Sequence, residues 1–591
     1  MRLVVCEKPS AAMSIARALD VKIKRDGYME GNGWLISWCV GHLAGLAEAG
    51  AYDPKYEKWR REDLPILPEN WRFVIGIDKR GQFDTLRTLL RSEEVSEIVN
   101  ACDAGREGEL IFRTVYHLAG CAKPVKRLWI SSKEDSAIRD GLANLKPGDD
   151  YDGLYQAALC RQKADWLVGI NATRLFSLTY GRTLKIGRVM SPTLALIAKR
   201  EAEIDAFVLV PFYTVELDCG GVTFTGERID AKTNADKIAA ACSDAAVMVQ
   251  SVERKEKSEN PPALYDLTTL QREANRTLNF TAQQTLDYIQ SLYEKKLCTY
   301  PRTDSRFLTV DMEHTVRDLV SAAAAVCGVD IPKEICASQV CSSKRVTDHH
   351  ALVPTRSAAG RGLEDLPLGE REILRLMFQG LLRAVCQPYR YAEIVVTAEC
   401  AGHSFTAKGK VMLDMGWKSY SGKELSQDAV LPDGLAEGTA LPVKAVHVKE
   451  GKTAPPRHFT EDTILNSMET AGADEMPEDA ERRGIGTPAT RAGILEKLIL
   501  SGLVERKYAF TELHGFFSKE NPPTMEEPKQ PTVAELEAQV KAGQSISLMD
   551  LAAATHRERD GKKKSVSERL NRQSPKEPKK KAPKKSAERG I

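Results

Sequence analysis

Two stretches with the alternating pattern of β-strands lie on either side of a long helical stretch, and this arrangement limits the folds open to the chain. Residues 212–227 (FYTVELDCGGVTFTGE) read as a β-hairpin, and residues 392–413 return to strand character. Between them, residues 263–387 have mainly helical spacing. We therefore expect one β-rich hinge domain, formed by residues 211–262 and 388–451, that is interrupted by a helical domain.

The first 150 residues alternate strands with helices. Strand-like segments are RLVVCE, WLISWCV and VKRLWIS, at residues 2–7, 34–40 and 125–131. Pro9, near the first turn, and Ser10, a possible cap, mark the helix that follows the first strand. This alternation predicts an α/β domain over residues 1–150.

The length of 591 residues calls for further domains. Residues 151–210 and 452–515 have helical spacing and are predicted to form one discontinuous helical domain. Residues 516–555 form a divergent C-terminal segment, and residues 556–591 are expected to be a disordered basic tail.

The net charge of +2 conceals an uneven distribution. Residues 561–591 carry 12 basic and 3 acidic side chains, whereas the remainder carries 72 basic and 79 acidic ones. The tail can be interpreted as a solubilising terminus or as a segment that adheres to a polyanion, most often nucleic acid.

Composition excludes several classes of protein. No run approaches the ~20 apolar residues of a membrane-spanning helix, and the N-terminus lacks the apolar core of a secretory signal. The 13 cysteines are scattered, without the two close pairs typical of a zinc site. We expect a cytoplasmic protein without zinc.

Acidic residues follow two predicted strands. Glu7 ends the first strand and precedes Lys8, and DAGREGE contains Asp103, Glu107 and Glu109 where another strand gives way to a helix. Functional groups gather at the carboxyl ends of parallel strands, and carboxylates suit Mg²⁺. Alternatively, Glu107 and Glu109 only favour the helix N-terminus through its dipole.

The loop CTYPRTDSR, residues 298–306, places Tyr300 two residues before Arg302. In the simpler interpretation, the tyrosine packs and the arginine covers it. In the other, the phenol attacks an anionic group that the guanidinium holds.

Together these segments resemble a known family. EKPS and DAGREGE resemble the Toprim fold, with Gly105 in place of its second aspartate. YPRTDSR, GRVMSPTLALI (187–197), TDHHALVPT (347–355) and GIGTPATRAGIL (484–495) resemble motifs of type IA DNA topoisomerases, in the family's order. The resemblance favours the topoisomerase III-like branch, and implies a multidomain fold of α/β, α and β domains, with the Toprim domain inside a toroidal architecture.

The resemblance also implies roles for individual residues. Tyr300 would be the nucleophile, Arg302 and Lys8 would stabilise the phosphate, Glu7 would act as general acid, and His349 would lie beside the phosphate. One Mg²⁺ would be held by Glu7, Asp103 and Glu107, with Glu109 as a weaker candidate. Because Gly105 replaces an acidic ligand, the affinity for this ion would be reduced. The residues implied to line the path of a single strand in the discontinuous helical domain are Arg188, Ser191, Thr193, Thr490 and Arg491. Met190 stands where the family has glutamine, so site preference there is expected to differ.

The implied function is ATP-independent relaxation or decatenation of DNA through a 5′-phosphotyrosine bond. No GxxxxGK[ST] phosphate loop occurs in the sequence, in agreement with ATP independence. Expected partners are single-stranded and negatively supercoiled DNA, with a helicase or replication and mobile-element machinery as further candidates, and the enzyme is expected to be a monomer. Alternatives are a catalytically impaired single-stranded DNA-binding clamp and a Toprim nuclease or primase.

Overall fold

The computed structural model describes residues 1–130, 135–346, 349–360, 363–422, 431–432, 434–473 and 484–507. The predicted divergent segment 516–555 and the predicted tail 556–591 lie outside these residues. No helix of the described ranges is long and apolar enough to cross a lipid bilayer.

The N-terminal region forms a seven-stranded sheet in the order β2-β3-β4-β1-β7-β8-β9, and β5 pairs with β6 in a small separate sheet. The strands are β1 (Arg2–Cys6), β2 (Ile23–Arg25), β3 (Tyr28–Gly31), β4 (Trp34–Trp38), β5 (Ala44–Leu46), β6 (Phe73–Ile75), β7 (Glu97–Ala101), β8 (Val125–Arg127) and β9 (Lys146–Pro147). The helices are α1 (Pro9–Ala18), α2 (Arg80–Arg91), α3 (Arg106–Leu118) and α4 (Asp135–Ala143). This is the α/β region that the alternating pattern predicts.

Strand β1 lies in the middle of this sheet, parallel to both β4 and β7. Its side chains alternate between two cores: Leu3 and Val5 pack on one face of the sheet, while Val4 and Cys6 pack on the other. A strand covered on both faces reads as a continuous apolar run, as RLVVC does. Cys6 is level with Ala101 of β7, so the residues that follow both strands emerge side by side at one edge.

One local prediction in this region was too long, and another was wrong. The strand predicted at 125–131 ends at Arg127, whose guanidinium turns inward and donates to the carbonyl oxygens of Cys102 and Leu128, both at 2.7 Å. Ser131 lies outside the described residues. Helix α1 begins at Pro9 with Lys8, not Ser10, as its N-cap residue, and the Lys8 side chain makes no capping bond.

The second seven-stranded sheet has the order β15-β12-β13-β14-β11-β10-β16. Its strands are β10 (Pro211–Asp218), β11 (Thr223–Gly226), β12 (Ala246–Glu259), β13 (Tyr389–Cys400), β14 (His403–Asp414), β15 (Ala440–Pro442) and β16 (Ala445–Lys452). Strands from both sides of the helical stretch are combined in it, because β12 pairs with β13 and β10 with β16. A sheet of this kind brings the two ends of the helical stretch together. Helix α7 (Lys232–Cys242), for which the sequence analysis made no prediction, packs on it.

The remaining helices form two groups. Those between β12 and β13 are α8 (Leu267–Leu278), α9 (Ala282–Glu294), α10 (Glu313–Cys327), α11 (Arg356–Ala359) and α12 (Leu368–Ala384), and they share one apolar core. Outside that stretch lie α5 (Asp152–Tyr180), α6 (Met190–Asp205), α13 (Glu461–Thr470) and α14 (Pro488–Leu500). The groups meet where Arg272 Nε donates to Asp462 Oδ1 at 2.7 Å. The domain boundaries assigned from the sequence remain predictions.

Candidate active site

A cavity of about 700 Å³ opens at the edge of the first sheet where β1 and β7 end. Several segments that are distant in the sequence line it. Those with predicted site residues contribute Glu7 and Lys8 after β1, Asp103, Gly105 and Glu107 after β7, Tyr300, Arg302 and His349 from the helical stretch, and Thr487 and Thr490 at α14. The fold thus brings most of the predicted site residues together.

Lys8 is the electrostatic centre of the cavity. Its ammonium nitrogen lies 3.1 Å from Glu7 Oε1 and 3.4 Å from Asp103 Oδ2. Burial by itself would lower the pKa of Lys8, but attraction to Asp103 and then to Glu7 outweighs it, so the pKa is raised well above its ordinary value. Lys8 therefore stays a cation, and its position follows from the parallel pairing of β1 with β7.

Tyr300 is bound to this cation. Lys8 Nζ donates to Tyr300 Oη at 3.2 Å and lies 4.9 Å from the centre of the ring. The His349 ring lies 4.3 Å from the tyrosine ring, and His349 Nε2 is 3.6 Å from Asp103 Oδ2. The phenol oxygen thus points at the charged groups, which the interpretation of Tyr300 as packing alone does not explain.

The loop that carries Tyr300 is fixed to its surroundings by main-chain contacts. Thr299 N donates to Val353 O at 3.1 Å, and Thr303 Oγ1 donates to His349 O at 2.9 Å. Because the second bond ties the two loops directly, Tyr300 and His349 belong to one rigid unit. The sequence had placed both residues at the site but had given no reason for their contact.

Arg302 lines the same cavity and is exposed. Within the described ranges, no carboxylate lies at ion-pair distance from its guanidinium. A planar guanidinium without a carboxylate partner can bind a phosphate through two parallel hydrogen bonds. Its position therefore suits an anionic ligand held next to Tyr300.

Glu107 lines the same cavity from the first turn of α3. Its carboxylate lies 3.5 Å from His42 Nε2 and 3.6 Å from a terminal nitrogen of Arg161. The hydrogen bond from His42, followed by the charge of Arg161, lowers the pKa of Glu107 despite its partial burial. An ionised carboxylate here can bind a cation at neutral pH.

The turn between Asp103 and Glu107 depends on Gly108. A Cβ atom at Gly108 would lie 2.1 Å from the carbonyl oxygen of Asp103, so helix α3 can approach the end of β7 this closely only with glycine at that position. Gly105, in contrast, has extended backbone that any residue adopts. Its significance is chemical: it brings no side chain to the cavity.

Glu109, the weaker metal candidate, does not belong to the site. Its carboxylate is buried and accepts hydrogen bonds from Arg127 Nε at 2.6 Å, Asn100 Nδ2 at 2.9 Å and Arg113 Nε at 3.3 Å. Both oxygens of this carboxylate accept hydrogen bonds from protein groups, so Glu109 holds α3 on the sheet and has no free oxygen for an ion. The prediction of Glu109 as a metal ligand was therefore wrong.

Two of the predicted DNA contacts are also buried. Thr193 is fully buried and donates to Val189 O at 2.8 Å. Arg491 is 3 % exposed and donates to Ile485 O and Thr268 Oγ1, so it fixes the loop before α14. The prediction that these two residues contact DNA is therefore corrected. Their polar groups are buried and bond to protein atoms, and neither is presented to a DNA strand.

The other three predicted contacts are placed differently. Arg188 is exposed and pairs with Asp165, a residue that lines the cavity, at 2.6 Å. Thr490 lines the cavity and completes the capping box of α14 with Thr487. Ser191 Oγ accepts a hydrogen bond from Gly187 N at 3.2 Å. All three remain predicted DNA contacts, and Arg188 and Thr490 are exposed.

Helix α5 carries a polar stripe that the sequence motifs did not indicate. Arg161, Gln162 and Asp165 line the cavity together with the apolar Ala158, at helical spacings of three and four. Gln162 Oε1 is buried without a hydrogen-bond partner among the described residues, although other atoms of this side chain are accessible. A polar stripe in an otherwise apolar helical pattern was the signal that could have identified these residues.

The residues fit a magnesium ion only in a limited way. Within the described ranges, no cluster of three histidine, cysteine or acidic side chains is close enough to hold one ion. Asp103 and Glu107 nevertheless line one cavity, and Mg²⁺ in proteins is often bound by one or two carboxylates and several waters. The donor set thus suits Mg²⁺ and offers no thiolates or histidine pairs of a zinc site.

Comparison with known proteins gives a consistent result. A family model described as DNA topoisomerase matches residues 149–515, and the Toprim domain model matches residues 2–133. DNA topoisomerase 3 from Bacillus licheniformis is 39% identical over 535 residues, which cover 85% of this chain and 73% of the relative. The corresponding protein from Bacillus subtilis is 39% identical over 534 residues, with the same coverages. DNA topoisomerase 3 from Staphylococcus aureus is 36% identical over 522 residues, which again cover 85% and 73%.

A solved structure is similar in fold. Full-length topoisomerase I from Thermotoga maritima superposes with a TM-score of 0.61 at 22% identity, covering 85% of this chain and 78% of that one. At this level of identity the similarity concerns the fold alone.

Proposed function

Because the chain belongs to the DNA topoisomerase family, as a Toprim-containing member of its type IA, topoisomerase III-like branch, we propose that Tyr300 is the nucleophile of strand cleavage. The protein is an isomerase: without ATP, it transiently cleaves one DNA strand, passes a strand through the gap and religates. The observation that carries the assignment of Tyr300 is the 3.2 Å hydrogen bond from Lys8 Nζ to its hydroxyl.

In the proposed step, a bond forms between Tyr300 Oη and the scissile phosphorus while the bond from phosphorus to the 3′ oxygen breaks. The 5′ phosphate stays on the tyrosine, so the ester energy is retained for religation. Lys8 stabilises the phenol oxygen as its proton leaves to water, since the raised pKa keeps Lys8 charged. Glu7, 3.1 Å from Lys8 Nζ, is proposed to take up a proton from water and pass it to the leaving 3′ oxygen.

Arg302 is proposed to act on the phosphate itself, and His349 on the position of Tyr300. The exposed guanidinium of Arg302 would bind the non-bridging oxygens, where charge increases in the transition state. His349 lies against the Tyr300 ring and is tied to the same loop through Thr303, so it would keep the phenol aimed at the phosphate.

Toprim domains generally bind Mg²⁺, and we propose that Asp103 and Glu107 hold a single ion here, with Glu7 beside them. Because Gly105 offers no carboxylate, we expect the ion to bind weakly. When bound, Mg²⁺ supplies positive charge that favours religation and positions the cut ends. No zinc is proposed, since the described cysteines form no such cluster.

The family acts on DNA, and we propose a single strand as the bound form. Arg188 and Thr490 would contact its backbone near the cavity, and Arg161 is added because it lines the cavity beside Glu107. Negatively supercoiled DNA would supply such strands. We further propose a monomer that works in the cytoplasm on nucleoid or plasmid DNA, with a helicase or replication or mobile-element machinery as partner.

The test uses single-stranded oligonucleotides labelled at either end, incubated with protein and stopped with denaturant. We expect label from the strand 3′ of the cut to become covalently attached to the protein. Tyr300→Phe should abolish the adduct, whereas Tyr293→Phe, which changes the aromatic ring 5.5 Å away, should retain it. An unmodified enzyme that binds DNA tightly but forms no adduct would favour the clamp instead.

A further inference from the structure

A second recess lies apart from the candidate active site, between α8, α12 and the segment that leads from β12 into α8. Its volume is about 220 Å³. It is smaller than the roughly 300–1,000 Å³ of sites for drug-sized ligands, so it suits a small group. Four arginines line it, with a single carboxylate among the lining residues; these are Arg272, Arg276, Arg306, Arg383 and Glu273.

The recess has more hydrogen-bond donors than acceptors. Four guanidinium groups carry about 20 N–H donors, whereas six hydrogen bonds are made by these groups to protein atoms in the described residues. Arg383 Nε is buried and has no partner there. A buried donor of a charged group that stays unpaired is costly, so an arrangement of this kind calls for an acceptor that the protein itself does not supply.

The charges lead to the same conclusion. Besides Glu273, two carboxylates outside the lining face these arginines: Asp462, which pairs with Arg272 and Arg276, and Asp266, which interacts with Arg306. Counting all three acids as ionised, the four arginines still leave an excess positive charge.

Arg306 makes its recorded hydrogen bonds to main-chain carbonyls and not to an acid: Nε donates to Leu264 O at 3.1 Å and a terminal nitrogen donates to Ala263 O at 3.4 Å. These bonds hold the side chain in place without neutralising it.

We propose that this recess binds a phosphoryl group. Tetrahedral oxyanions match the fork geometry of guanidinium groups, and arginine clusters of this kind are suited to phosphate recognition. The group can come from the backbone of the DNA that the enzyme handles or from a free phosphate. In either case the site is distinct from the cavity that holds Tyr300, and binding there does not require Tyr300 to be the nucleophile.

The position of Arg306 gives the site a connection to the proposed chemistry. Arg306 is the last residue of CTYPRTDSR, and six residues of chain span at most about 20 Å, so the recess lies within that distance of Tyr300. The same loop is fixed to α8, because Leu267 N donates to Thr303 O at 3.1 Å. A phosphoryl group in the recess therefore contacts the segment that carries the nucleophile.

The experiment compares the full-length protein with Arg276→Gln and with a matched control, Arg390→Gln. Both arginines are about half exposed and pair with a glutamate, but Arg390 lies on β13 and does not line the recess. Because Arg276 is exposed, its loss should leave the fold intact; Arg276→Lys, which keeps the charge without the fork, provides a second variant. Tyrosyl–DNA adduct formation in each variant reports separately on the proposed function.

The first measurement uses inorganic phosphate as probe, at constant ionic strength. We expect phosphate to raise the melting temperature of the unmodified protein and of Arg390→Gln, and to raise that of Arg276→Gln by less than half as much, with Arg276→Lys between them.

The second measurement is the salt dependence of single-stranded DNA binding. If the source is the DNA backbone, the slope of log K against log salt falls by about 0.7 in Arg276→Gln only. If the variants differ only in the phosphate-induced rise of the melting temperature, the ligand is a free phosphate. If they differ only in the slope of the salt dependence, the ligand is the DNA backbone. Equal behaviour of all the proteins in both measurements overturns the proposal.

Discussion

Replacing Gly108 by alanine tests whether the close approach of α3 to β7 sets the position of Asp103. The new Cβ atom would lie 2.1 Å from Asp103 O, so the carbonyl or the helix must move by about 1 Å to restore an acceptable contact. That carbonyl also accepts a hydrogen bond from Arg127 at 2.8 Å, which such a shift would break. Overpacking typically costs about 1–3 kcal/mol and a lost bond to a charged group roughly 1.5–3 kcal/mol.

We therefore expect Gly108→Ala to destabilise the N-terminal region by about 2.5–6 kcal/mol, a large share of ordinary domain stability. Because a displacement of about 1 Å at a reacting group can cost ~10²-fold in rate, strand cleavage and religation should fall by a comparable factor. The Mg²⁺ concentration needed for religation should also rise, since Asp103 is a proposed ligand.

The assay combines thermal unfolding with adduct formation and religation over a Mg²⁺ titration. Gly81→Ala is the matched control: this glycine also lies in a helix, α2, but a Cβ atom there would meet nothing within 4 Å. It should be neutral or stabilising by up to ~1 kcal/mol. Unchanged melting, cleavage and Mg²⁺ dependence in Gly108→Ala would refute the reasoning.

Three further predictions concern other parts of the chain. Burial raises the pKa of Asp266 to about 6, so its ionisation costs folding free energy that is absent below about pH 4 and complete above pH 6. Asp266→Asn, which keeps the helix cap, should thus stabilise the protein by roughly 2–3 kcal/mol at pH 8 and hardly at pH 4, as measured by denaturant unfolding; equal effects at both pH values would contradict this. Arg491→Ala should lower stability by about 2–4 kcal/mol because its buried bonds are lost, whereas Arg188→Ala should weaken single-stranded DNA binding without changing the melting temperature; the reverse pattern would restore Arg491 as a DNA contact. Deleting residues 556–591 should weaken DNA binding at physiological salt and flatten its salt dependence, and an unchanged affinity would leave the tail as a solubilising terminus.

Much of the architecture could be predicted because it depends on periodicity. The apolar run in RLVVCE and the alternating pattern of residues 212–227 are local patterns, and the structure has a strand or strand pair at each. Tyr300, Lys8 and Asp103 were placed at one site by sequence motifs, and the fold brings them into contact.

What could not be predicted depends on which way a side chain points. Arg491 and Arg188 are both arginines in family-like segments, yet one is buried in a network and the other is exposed. Glu107 and Glu109 are two residues apart on α3, and the helical rotation between them sends one to the cavity and the other to Arg127. Local sequence gives the spacing of such residues but not the orientation of the helix, which tertiary packing decides.

The hydrogen bond between Lys8 and Tyr300 joins residues 292 positions apart, one following the first strand and the other in the helical stretch. The proposed chemistry is therefore divided between two parts of the chain: Tyr300, Arg302 and His349 come from the helical stretch, while Glu7, Lys8 and Asp103 follow strands of the first sheet. Under the proposed roles, a separation of these parts during strand passage would carry an ester on Tyr300 away from Glu7 and Lys8. Resealing would then require the contact between Lys8 and Tyr300 to form again, so the same contact would couple the chemistry to the closed arrangement.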